Sequence, residues 1–165
     1  LIDKIKNKYK GEEMPVFEKS VKIDCSLKEL FNFHLDTNNL PLISPKDTKV
    51  QLLTPNIKIK QGAVLKLKAK KNFLSTTWEV RIQKLVYPTL LVDLALKSPF
   101  SYWEHSHIFE ECDEGCIMKD VVHYKLPFCF VGALFNSFVK KQLAQMFSFR
   151  HKVTKQLLES KKGKV

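Results

Sequence analysis

Arginine is almost missing from this chain: of 28 basic residues, only Arg81 and Arg150 are arginines. The planar guanidinium fork is the side chain best suited to reading phosphate, and nothing here interleaves it with aromatic residues as a single-strand nucleic-acid groove does. A nucleic-acid partner is therefore not expected, despite a net charge of +11 and a pI near 9.5. Much of the excess charge sits at the two ends, in Lys4, Lys6, Lys8 and Lys10 and in Lys161, Lys162 and Lys164. The rest alternates with apolar residues, as on a solvated strand face. The terminal lysines also suit a transient contact with an anionic membrane.

Cysteine is scarce as well. Cys25, Cys112, Cys116 and Cys129 form no Cys-x-x-Cys pair, which argues against a small disulfide-stapled scaffold. Cys112 and Cys116 flank a hairpin turn where a bridge has room to form, but reduced thiols are the expectation. No apolar run approaches the length that spans a bilayer, and no charged-then-apolar leader opens the chain, so a cytoplasmic protein is expected. No serine sits in a nucleophile-elbow context and no cysteine has an activating neighbour. No cofactor is expected.

What is present is core-forming material. Hydrophobic residues make up 44% of 165 positions and twelve are phenylalanine, which suffices for one well-buried domain. Residues 1–13 are polar and lysine-rich. Met14-Pro15-Val16 reads like a natural start, so the leader is read as flexible or artificial and 14–162 as a single domain.

Val16 to Asp24 alternate, with Phe17, Val21 and Ile23 on one face, as a half-buried strand requires. Ser26 followed by Glu29 is a capping box, opening a helix that carries Leu27, Leu30, Phe31 and Phe33. Asp36-Thr37-Asn38-Asn39 and Pro41 stop it, with a further helical turn before Ser44-Pro45. Alternation then continues for about eighty residues, the signature of an antiparallel sheet. Short strands are expected at Val50–Leu53, Val64–Lys70, around Trp78, Val80 and Ile82, and at Leu90–Leu96. The last is nearly all apolar, so it is expected either to be covered on both sides or to adjoin an interface.

Tyr102–Glu111 and Cys116–Leu126 follow, joined across Asp113-Glu114-Gly115. The first places Trp103, His105, His107 and Phe109 on one face; the second places Met118, Asp120, Val122, Tyr124 and Leu126 on its more apolar face. A two-residue turn at Glu114-Gly115 sets His107 opposite Val122, with Asp120 and Tyr124 as diagonal neighbours.

The chain closes on one long helix, Gly132 to Lys161, about 45 Å at 1.5 Å per residue. Phe135, Val139, Met146, Val153 and Leu157 make a narrow stripe, flanked by Phe138, Leu143 and Phe149. Gln142 projects into that stripe and Arg150 lies on its flank, where a plain core helix has no use for them. A long helix needs a curved sheet to cover it in one layer. The expectation is an α+β architecture of about seven strands wrapped round the C-terminal helix, with two short helices after the first strand.

The sequence resembles the START-like or SRPBCC superfamily at several places. They are Phe17-Glu18-Lys19-Ser20, Phe31-Asn32-Phe33-His34 with Asp36 after Ser26, and Ser98-Pro99-Phe100 before Trp103-Glu104-His105-Ser106-His107-Ile108-Phe109. They continue with Asp120-Val121-Val122-His123-Tyr124-Lys125-Leu126-Pro127-Phe128 and Phe147-Ser148-Phe149-Arg150-His151. The likeness runs from residue 16 to about 158 and is nearest a bacterial branch of mostly uncharacterised ligand-binding proteins. The resemblance implies the helix-grip fold of lipid-transfer domains, polyketide cyclases, coenzyme Q-binding proteins and birch-pollen-type allergens.

The resemblance also implies a cavity between helix and sheet holding a small, largely hydrophobic molecule, lipid-, quinone- or polyketide-like, for a carrier or sensor. Its expected lining is Trp78, Val80, Trp103, His105, His107, Asp120, Tyr124, Phe135, Phe138, Gln142 and Arg150. The polar members read three ways: acid and base groups of a cyclase, dehydratase or hydrolase, with His105, His107 and Asp120 as candidates; a buried network tying helix to sheet; or groups that orient an apolar ligand. Arg150 is expected to turn inward onto a carboxylate, Asp120 first and Asp36 second. His105 and His107 supply two imidazoles, but with Asp120 as the one further ligand in view, no metal is expected.

Overall fold

The computed structural model describes residues 14–127 and 129–162; the leader, Lys164 and Phe128 fall outside that range. In chain order the elements are β1 (Val16–Ile23), α1 (Leu27–Leu35), a 3-10 turn (Thr37–Asn39), β2 (Thr48–Leu52), β3 (Val64–Lys71), β4 (Leu74–Val86), β5 (Leu90–Lys97), β6 (Tyr102–Cys112), β7 (Gly115–Lys125) and α2 (Cys129–Lys162). The strands pair antiparallel in the order β1-β7-β6-β5-β4-β3-β2. This is the α+β helix-grip fold. No helix among the described residues is long and apolar enough to cross a membrane.

Local chemistry accounts for most boundaries. Ser26 accepts from the Glu29 amide while Glu29 Oε2 accepts from the Ser26 amide at 2.9 Å, satisfying two donors at the start of α1. The Asp36 carboxylate then caps the 3-10 turn, accepting from Asn38 N at 3.0 Å and Asn38 Nδ2 at 2.9 Å. In β3 the exposed Lys66, Lys68 and Lys70 alternate with Leu65, Leu67 and Ala69 on the inner face. Asn72 takes a left-handed φ of 53° in the tight turn to β4, which asparagine tolerates. In β5, Leu91 and Ala95 face the core, while Leu94 on the other side packs with Tyr102 and Met14. That outer patch is why the strand reads as apolar on both faces.

Two expectations are corrected. The β6–β7 turn is Asp113-Glu114, not Glu114-Gly115, because Cys112 pairs with Gly115. His107 therefore sits opposite Asp120 and His105 opposite Val122. The faces are as expected, since the slip is by an even number of residues. Gly115 belongs to the strand, where its φ of +120° and its contact with β1 exclude a side chain. Cys112 and Cys116 consequently lie on opposite faces, and both are free thiols; Cys116 Sγ donates to Cys25 O at 3.1 Å.

The phase of α2 also differs from the expectation. Among its described side chains the buried ones are Leu143, Phe147, His151, Thr154 and Leu158, one position beyond the expected stripe at nearly every step, a rotation of about 100°. Val139, Met146, Val153 and Leu157 pack from the flanks. Phe147 stacks on Phe17 of β1 with ring centroids 5.2 Å apart. Towards the C-terminal end, Lys155 Nζ donates to Lys22 O at 2.8 Å and Glu159 Oε1 accepts from Asp24 N at 3.0 Å.

Candidate functional site

The helix lies nearest β1, and the curved sheet stands away from it on the β2–β5 side. The space between is a cavity of about 850 Å³. Its apolar wall is built from alternate residues of β3, β4 and β5, among them Leu65, Leu67, Val80 and Leu91, and is closed by Leu143, Met146 and Phe147 of α2. Three aromatic residues form one side: Trp103 lies 5.4 Å from Trp78 and 4.8 Å from Phe100, centroid to centroid, at edge and tilted angles, the geometry aromatic quadrupoles favour.

The polar groups gather beside this aromatic wall, the Trp103 and His105 rings lying 6.4 Å apart, centroid to centroid. They centre on Asp120, which is 3% exposed. Its Oδ1 accepts from His105 Nε2 at 2.8 Å, and its Oδ2 accepts from His151 Nε2 at 2.5 Å. His107 Nδ1 also lies 2.8 Å from Oδ1 but off the line of an aligned hydrogen bond, so this contact is mainly one of charge. Asp93 of β5 faces the same two rings, with Oδ2 3.8 Å from His105 Nδ1 and 3.5 Å from His107 Nε2. The His105 and His107 rings lie 3.9 Å apart, centroid to centroid.

Burial and charge act in opposite directions here. Burial alone would raise the Asp120 carboxyl, but the three imidazoles together hold it well below its ordinary range. Burial, with His107 beside it, lowers His105 despite Asp120. For His107 burial also pulls downward, yet Asp120 and Asp93 outweigh it and the ring is raised. His34 at the end of α1 is pushed down to about 3 by burial and by His107; its Nδ1 donates to Leu30 O at 2.8 Å, so it is a neutral imidazole on the cavity wall. A cluster of titratable groups driven apart in this way is an arrangement that acid–base sites use.

Of the residues expected to line the cavity, Trp78, Val80, Trp103, His105, His107, Asp120, Gln142 and Arg150 do so. Gln142 reaches Lys71 Nζ at 3.5 Å. Tyr124 does not: it is fully buried in the aromatic cluster, and its hydroxyl donates to Asn136 Oδ1 at 2.6 Å. Phe135 and Phe138 are 53% and 59% exposed, because the one-residue rotation of α2 puts Asn136 inward in their place.

Arg150 turns inward but has no carboxylate partner among the described residues. Its guanidinium sits 5.7 Å from the centre of the Phe147 ring, its Nε is buried without a hydrogen bond, and burial lowers its pKa. The neighbouring His151 takes the place on Asp120 that Arg150 was expected to hold, and Asp36 is engaged in capping. Asp93, His151 and His34 were missed as site residues. Asp93 is the lone acid in an otherwise mostly apolar strand, with the inward parity of Leu91 and Ala95, and that is a usable signal.

A model of the family described as polyketide cyclase / dehydrase and lipid transport matches residues 23–150. No curated protein matches the chain. Among solved structures, protein CV1439 from Chromobacterium violaceum is similar with a TM-score of 0.72 at 11% identity, covering 88% of this chain and 98% of that one. TTHA0849 from Thermus thermophilus gives 0.71 at 13% identity, with the same coverage of 88% and 98%. The di-domain ARO/CYC StfQ from the steffimycin biosynthetic pathway gives 0.73 at 11%, covering 96% of this chain and 55% of that one. At these identities the solved structures speak for the fold alone.

Proposed function

Because the chain belongs to the polyketide cyclase/dehydrase and lipid transport family of the SRPBCC superfamily, we propose that it binds a small, largely hydrophobic molecule between α2 and the sheet, as a carrier or sensor. The observation that carries this reading is the cavity itself. Its volume of about 850 Å³ lies in the range of small-molecule sites, which are mostly apolar with a few convergent polar groups. A lipid-, quinone- or polyketide-like ligand fits that division. Its apolar body lies along Leu67, Val80 and the Trp78–Trp103 pair, and its polar end meets His107, Asp93 and Arg150.

Native mass spectrometry of the freshly purified protein is expected to show a bound small molecule, and an apolar fluorophore is expected to enter the emptied cavity. Ala69→Trp, which fills space from β3, should weaken fluorophore binding at least tenfold while the fold, followed by circular dichroism, persists. Equal binding by both proteins would place the fluorophore elsewhere and count against the cavity.

A second reading is an enzyme of the cyclase, dehydratase or hydrolase kind, with His107 as acid or base. It is favoured by the placement of His105, His107, Asp93 and Asp120 on the cavity wall rather than on main-chain partners. General acid–base groups typically contribute 10²–10⁴-fold, in round terms about a thousandfold, to turnover. On this reading His107→Gln abolishes turnover of a bound substrate by about that factor while its binding changes little; loss of both together indicates a binding role alone.

A further inference from the structure

Adjacent strands bring three metal-ligating side chains to one spot. Asp93 and His105 are cross-strand partners in β5 and β6, His107 is two residues along the same face, and one donor atom from each of the three lies within 4.8 Å of the other two. We propose that Asp93, His105 and His107 bind a divalent first-row transition-metal ion such as Zn²⁺, with Asp120 as the outer carboxylate that orients both imidazoles. The remaining coordination positions face the cavity.

Each of the two rings keeps one nitrogen for a metal. Asp120 Oδ1 lies 2.8 Å from His105 Nε2 and 2.8 Å from His107 Nδ1, so one nitrogen of each imidazole faces the same oxygen, His105 through a hydrogen bond and His107 off the line of one. The other nitrogens, His105 Nδ1 and His107 Nε2, both turn to Asp93 Oδ2, at 3.8 and 3.5 Å. These separations are at or beyond the limit of a hydrogen bond. They are close to the spacing of atoms that share a metal: bonds of about 2.0–2.2 Å put neighbouring ligand atoms roughly 3.0–3.5 Å apart. The two ring nitrogens lie within 4.8 Å of each other, so an ion at the centre draws the imidazoles towards one another as well as towards Asp93.

The surroundings meet the other requirements. A ligating histidine commonly gives its second nitrogen to a carboxylate, which fixes the ring and strengthens the ligand; Asp120 accepts from His105 Nε2 in this way and faces His107 Nδ1 at 2.8 Å as a charge partner. Asp120 is itself held through Oδ2 by His151, which keeps it from swinging into the site. Both ligand-bearing strands are interior strands of the sheet. Arg150, the nearby cation, lies over Phe147 rather than on Asp93. Two imidazoles and one carboxylate with an open position suit a four- or five-coordinate zinc site; magnesium and calcium prefer an all-oxygen shell. The proposal does not depend on an apolar ligand being present, because the four side chains are in place without one.

The test starts from the full chain, stripped with a chelator and dialysed. Titration with Zn²⁺ against a chromophoric chelator is expected to show one ion per chain, and Co²⁺ in its place should give the intense visible bands of a four- or five-coordinate site. In a histidine-selective NMR spectrum, Zn²⁺ should shift the ring signals of His105 and His107 and leave His123 unmoved. Asp93→Asn should weaken binding at least tenfold, and Asp120→Asn by about 10–100-fold without altering the stoichiometry. The idea is overturned if wild-type protein binds no more tightly than Asp93→Asn, if bound Co²⁺ keeps the pale six-coordinate spectrum, or if Zn²⁺ leaves the two ring signals in place. The wild-type spectra need no substitution, so they decide the matter even where a variant unfolds.

Discussion

Asp120→Ala is expected to lower the free energy of unfolding in urea by about 3–5 kcal/mol, the usual penalty for removing one member of a buried charged group. The carboxylate ties His105 and His107 of β6 to His151 of α2, so its loss strands imidazoles on both layers at once. A double-mutant cycle locates the effect. Asp120 and His151 should couple in the upper part of the roughly 0.5–3 kcal/mol range of contacting pairs, whereas Asp120 and Arg150 should couple by less than about 0.5 kcal/mol. The reverse order would restore Arg150 as the partner and contradict this geometry.

Gly115→Ala should be as damaging for an unrelated reason. A Cβ at this position would lie 2.3 Å from the backbone oxygen of Ile23 and 2.9 Å from Asp24 Cα, and neither atom can rotate away as a side chain would. The φ of +120° adds backbone strain of about 1–3 kcal/mol, and the overlap must be relieved by parting β1 from β7. A total of about 4 kcal/mol is expected by thermal or urea unfolding. Gly62 is the internal control. Its φ is also positive, at +87°, but nothing lies within 4 Å of the added atom, so Gly62→Ala should cost only about 1–2 kcal/mol. Equal losses at the two glycines would show that backbone conformation alone matters and that the β1 contact is unimportant.

Elements that depend on near neighbours in the chain were legible in the sequence. The Ser26–Glu29 box, the lysine–leucine alternation of β3 and the unbroken helix from residue 132 onward are statements about spacing, and spacing survives folding. The two features that misled depend on distant partners. Gly115 looks like a turn residue until the end of β1 is seen lying against it. The phase of α2 could not be read from hydrophobicity, because its inward line includes Asn136, His151 and Thr154. Two of these face in to meet polar groups of β7, Tyr124 for Asn136 and Asp120 for His151, while phenylalanines stand on several sides of the helix. The candidate site was half legible: the inward faces of β6 and β7 named His105, His107 and Asp120, but the residues that complete it, Asp93 and His151, come from β5 and α2.

The sheet order has a kinetic consequence. β2 to β7 are joined in sequence and can zip together hairpin by hairpin, but β1, the first strand made, pairs with the last, setting Val16 opposite His123. Closing so long a loop is entropically slow and raises the contact order, which places the chain among the slower-folding topologies. Until β1 docks, β7 is a bare edge whose ladder from Cys116 to His123 is open to another chain. Dilute refolding should therefore recover more native protein than concentrated refolding, with β1 as the strand whose late arrival sets the difference.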